Sequence, residues 1–100
     1  MIAPGVTLQD GGRIAAQGRL TIETVPALFE KGVQQLVRGD LRVDFSQVEA
    51  VDSAAISMLL GWARAAQRSQ HKLSVVGLPD DLLSLARLYG VDELLPVHDD

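Results

Sequence analysis

The run Val51-Asp52-Ser53-Ala54-Ala55-Ile56 holds the residues of this 100-residue chain whose types and setting could carry chemistry. A serine that opens a helix can cap unpaired backbone N–H groups. It can also take a phosphate, which the helix dipole would stabilise and the neighbouring Asp52 would repel. The residues alone leave both roles open for Ser53. As a hydrolytic nucleophile it lacks its setting, because no G-x-S-x-G surrounds it and no base or oxyanion donor can be named. Asp44 and Asp52 do not form an acid/base pair either, since the first falls on the polar face of a strand and the second at a helix entry. His71 and His98 have no partners at metal-ligand spacing, and the chain has no cysteine. Neither G-x-x-x-x-G-K-[ST] nor G-x-G-x-x-G occurs. The expectation is a chain with no catalytic residue, metal or cofactor, whose work is binding.

The elements that must position Ser53 follow from periodicity. Ile14, Ala16, Gly18 and Leu20 alternate with polar or small residues and predict a strand over 13–20, which residues 5–9 join as a hairpin through Asp10-Gly11-Gly12. Thr24 as N-cap, Pro26 in the first turn, and Val25, Leu28, Phe29, Val33 and Leu36 at helical steps predict a helix over 25–38. Leu41, Val43 and Phe45 predict a strand, followed by a loop over 46–51 and a second helix through VDSAAISMLLGWARAAQRSQ. A strand at 72–77 comes next. A third helix then opens at Pro79-Asp80-Asp81, buries Leu82, Leu85, Ala86 and Tyr89, and stops at Gly90. A last short strand falls near 94–97. Alternating strands and helices call for an α/β sandwich with a mixed, mainly parallel sheet of four to five strands and three or more helices. The chain reads as a single domain over 1–100, with an ordered core of about 5–97.

Within the second helix, Ile56, Leu59, Leu60, Ala63 and Ala66 form a core arc, and Ser53, Ser57, Gly61, Arg64 and Arg68 a polar one. A third arc of Ala54, Ala55, Met58, Trp62 and Ala65 is apolar where a helix with one obligatory face would show charge. Met58 and Trp62 therefore either form part of a partner surface or pack against the first helix, and both readings stand at this point. A composition of 47% hydrophobic and 22% charged residues with a net charge of −4 fits an ordinary globular domain and gives no bulk attraction to nucleic acid or anionic lipid. No apolar run approaches the roughly 18 residues of a membrane span, and no secretory signal opens the chain; cytoplasm is the default location.

On the strand LRVDFSQV, the segment VDSAAISMLL in place of a D-[ST]-x-G-L type run, KLSVVG and the third helix, the chain resembles STAS domains, the fold of anti-sigma-factor antagonists and of sulfate-transporter tails. DDLLSLARLYGVDELLPV and the short length look most similar to the MlaB branch, the small subunits of phospholipid-transporting ABC complexes that maintain outer-membrane lipid asymmetry. The resemblance implies a STAS-like sandwich and a non-catalytic cytoplasmic subunit, peripheral at the inner membrane. Its partner would be an MlaF-like ABC transporter ATPase subunit within a complex containing a membrane permease. Ser53 would lie at that contact beside Asp52, with Ser57, Met58, Trp62 and Arg64 extending it; a homodimer of the isolated domain stays open. The alternative is an anti-sigma-factor antagonist switched by phosphorylation at Ser53. Such antagonists resemble D-S-[ST]-G-[LI], and Ala54 and Ala55 stand where they carry a second hydroxyl and a glycine. An alanine in place of that glycine would limit approach by a kinase backbone.

Overall fold

The alternation read in the first strand and in Leu41, Val43 and Phe45 becomes one apolar sheet face. The computed structural model describes residues 5–9 and 12–95. It orders them as β1 (Gly5–Gln9), β2 (Arg13–Leu20), α1 (Val25–Arg38), β3 (Leu41–Val51), α2 (Ser53–Ser69), β4 (Leu73–Val76) and α3 (Asp80–Leu88). The strands lie in the order β1-β2-β3-β4, with β1 antiparallel to β2 and both other pairings parallel. Gly12 closes the hairpin at φ +75°, and a Cβ there would come within 2.6 Å of the Asp40 carbonyl oxygen, so only glycine fits the turn.

Ile14, Ala16 and Leu20 of β2, Leu41, Val43 and Phe45 of β3 and Val75 of β4 are all buried. The alternate positions, Arg13 and Arg19 on β2 and Arg42 and Asp44 on β3, are exposed or half-buried on the opposite, open face. Both crossovers, β2-α1-β3 and β3-α2-β4, step the same way across the sheet. A common hand therefore puts α1 and α2 on the same face, where α3 joins them. This is a two-layer α/β arrangement with α2 in the middle of the helical layer.

Three expectations are corrected. Residues 46–51 are strand rather than loop, since β3 runs on to Val51. The alternation fades there because two register shifts, at Ala15/Gln17 and Gly18/Arg19, break its pairing with β2. Tyr89 is exposed as the residue that ends α3, so its ring does not join Leu82 and Ala86 in the core. Asp92–Leu94 forms a 3-10 turn where a strand was expected to begin, and residues 96 and 97 lie outside the described residues. Among the described residues no helix is long and apolar enough to cross a membrane.

The candidate docking site at the start of α2

Asp52, not Ser53, is the N-cap of α2. One Asp52 carboxylate oxygen accepts from Ala54 N–H at 2.8 Å, and the other accepts from Ile22 N–H at 3.1 Å across the β2–α1 connection. Asp52 N–H in turn donates to Leu20 O at 3.1 Å. One carboxylate thus fixes the first turn of α2 and the neighbouring loop together. Thr24 holds the other side of that loop: its Oγ1 accepts from Thr21 N–H and donates to Arg19 O, although its side chain does not cap α1 as expected.

With the cap assigned to Asp52, the Ser53 hydroxyl is exposed and makes no hydrogen bond to any described residue. Ser57, one turn on, is exposed as well. The two serines border a shallow hollow of about 400 Å³ whose other walls are Ile22, Val25, Pro26, Ala54 and Asp52, the last with both carboxylate oxygens already accepting backbone N–H bonds. Ile22 is 74% exposed at its rim, an apolar side chain held out by a hydrogen-bonded loop rather than by a loose one. The hollow offers two hydroxyls and an apolar edge, which suits contact with another protein. Nothing in it pairs a nucleophile with a base. His71 lies half-buried after the far end of α2, its Nδ1 against Leu36 O, and His98 lies outside the described residues. Among the described residues no cluster of three His, Asp or Glu side chains could hold a metal.

The expected partner role of Met58 and Trp62 is overturned. Met58 is 1% exposed and Trp62 fully buried, the latter against α1. Trp62 donates from Nε1 to Phe29 O at 2.9 Å and lies flat over Gly32, while Phe29 lies over Gly61. Each helix thus offers a glycine to the other's aromatic ring. A central helix has three covered sides rather than one, leaving a solvent ridge of Ser53, Ser57, Arg64 and Arg68; Leu60, expected in the core, is only half-buried between them, and Gly61, expected on the polar arc, lies under Phe29. Arg64 is exposed on that ridge, 11 positions from Ser53 and away from the hollow. Sequence reasoning missed Ile22 and Pro26; a hydrophobic residue just before a capped helix was the available signal.

Asp52→Ala should lower stability by about 1–2 kcal/mol, the usual cost of losing an N-cap oxygen, while Asp52→Asn, which keeps one oxygen for Ala54 N–H but sets an NH2 against Ile22 N–H, should fall between Asp52→Ala and the parent. Urea unfolding followed by circular dichroism measures both. Equal losses in the two variants would show that capping is not what the carboxylate does.

The family profile described as "Mlab, STAS domain" matches residues 6–96. Relatives by sequence include the Escherichia coli intermembrane phospholipid transport system binding protein MlaB, 28% identical over 89% of this chain and 92% of its own length. The anti-sigma-B factor antagonist of Staphylococcus epidermidis is 25% identical over 94% of this chain and 89% of its own. Among solved structures, a Thermotoga maritima anti-sigma factor antagonist superposes with a TM-score of 0.74 at 16% identity, covering 95% of this chain and 85% of that one. Unphosphorylated SpoIIAA gives 0.73 at 13% identity, covering 98% and 88%. The fold is therefore that of the anti-sigma-factor antagonists, and the chain belongs to the STAS domain family.

Proposed function

We propose that this domain is a non-catalytic cytoplasmic subunit that binds and supports the ATPase of a phospholipid-transporting ABC complex, and is held at the inner membrane through that partner. The observation that carries the reading is the unengaged hydroxyl pair Ser53 and Ser57 beside the exposed Ile22, a surface built for contact and lacking catalytic groups. The likeness to MlaB along nearly the whole chain supports the identity of the partner. Ser53→Arg sets a long cation on this surface without touching the core. In co-expression pull-downs with the ATPase subunit it should reduce recovery at least about tenfold, in the range of a disrupted hot spot, with circular dichroism unchanged. Full recovery would reject the surface.

A second reading, an anti-sigma-factor antagonist phosphorylated at Ser53, is favoured by one observation. Ala55 is fully buried, so its methyl group points into the core and removes no access from outside. Its burial supports access for a kinase backbone at that position. A phosphate on Ser53 would face the N–H groups of the α2 start and the carboxylate of Asp52. A mass increase of one phosphate after incubation with a cognate anti-sigma-factor kinase and ATP, lost in Ser53→Ala, would establish this reading over the first.

A further inference from the structure

We propose that the partner presents an acidic protein patch to the far end of the same helix, where Arg64 and Arg68 receive it. The inference rests on the docking reading and adds a second, electrostatic half to it. Ser53, Ser57, Leu60, Arg64 and Arg68 follow one another along a single arc, and all but the half-buried Leu60 are exposed. In a chain of net charge −4, the 17 residues of α2 carry two arginines and no acid. The two cations sit one helical turn apart, where like charges repel.

Among the described residues no ion pair offsets that arrangement. The positions three and four residues from Arg64 are Leu60, Gly61, Gln67 and Arg68, and neither arginine pairs with an acid among the described residues. Arg68 lies in the last turn, where it complements the helix dipole, but Arg64 lies before that turn and gains little. The exposed acids of the neighbouring helices, Glu30 on α1 and Asp80 and Asp81 at the start of α3, form no ion pair with either arginine. The unmatched pair continues the ridge that begins at the hollow, so a partner seated on Ser53 and Ser57 would reach it with its next surface. Two cations on an acidic chain are too few for a nucleic acid or an anionic membrane, and fit a few carboxylates on a protein.

The test is calorimetric titration of the intact domain with the purified ATPase subunit of the same cell's phospholipid transporter. At about 0.1 M salt, with a screening length of about 10 Å, Arg64→Glu/Arg68→Glu should weaken binding by roughly tenfold. At about 1 M salt, with a screening length of about 3 Å, its deficit should shrink to under about twofold. The neutral Arg64→Gln/Arg68→Gln should fall between, and Ser53→Arg should fail at both salt concentrations. Parent-like affinity of both arginine variants at low salt, with Ser53→Arg still failing, would overturn the acidic patch and leave the docking reading intact. No binding by the parent domain would reject the docking reading and this inference with it.

Discussion

Replacing Trp62 with alanine is expected to cost about 3–5 kcal/mol, the range for deleting a large aromatic from a packed core. For a domain of this size that is a large part of a total of about 5–15 kcal/mol. The estimate follows from three features acting together: the ring is fully enclosed, it fills the space over Gly32, and its N–H occupies Phe29 O. Urea unfolding should show a midpoint far below the parent's, or no folded baseline at all. A loss under about 1 kcal/mol would mean that the α1–α2 seam does not carry the core. Trp62→Glu, which places an unpaired charge in the same space, should not fold. Loss of partner binding in that variant would report unfolding and say nothing about the docking surface, so interface tests belong at Ser53, Ser57, Arg64 and Arg68.

Much of the architecture was legible because its signals are local. Alternation in β2 and in the first half of β3, Pro26 in the first turn of α1, and the Asp80-Asp81 start of α3 each act within a few residues. What failed depends on neighbours distant in sequence. The extension of β3 to Val51 rests on a bulged pairing with β2, which disrupts the very alternation that would reveal it. The apolar arc of Met58 and Trp62 was ambiguous because helical spacing gives a face but not what covers it; two crossovers in the same direction leave α2 central, and that decides the matter. The same geometry shows why the site itself was half legible. Asp52-Ser53 at a helix entry is a local pattern, whereas the Asp52 bond to Ile22, which builds the apolar rim, spans 30 positions. Ser53 offered itself as the cap because a serine hydroxyl suits a helix start, but the carboxylate one position earlier takes that place.

Gly32→Ala carries the other large effect, and its sign depends on Trp62. In an exposed helix interior this change stabilises by about 1 kcal/mol, because alanine loses less backbone entropy on folding. Here the added Cβ would stand 2.3 Å from both Cε2 and Nε1 of the indole, far inside contact distance. The ring cannot swing aside, being enclosed on all sides and tied to Phe29 O. Either α1 must back away from α2 or the indole must leave its hydrogen bond, and overpacking of this kind costs about 1–3 kcal/mol. Glycine at this position is therefore the space in which the tryptophan sits. In a Trp62→Ala background the obstruction is gone, and the same Gly32→Ala change should stabilise by roughly 0.5–1 kcal/mol. A double-mutant cycle on unfolding free energies should thus return a coupling of about 2 kcal/mol or more, with the effect of Gly32→Ala reversing sign between the two backgrounds. Additive effects would mean that the two helices cross without this contact. The fully enclosed indole would then need another reason to sit where it does.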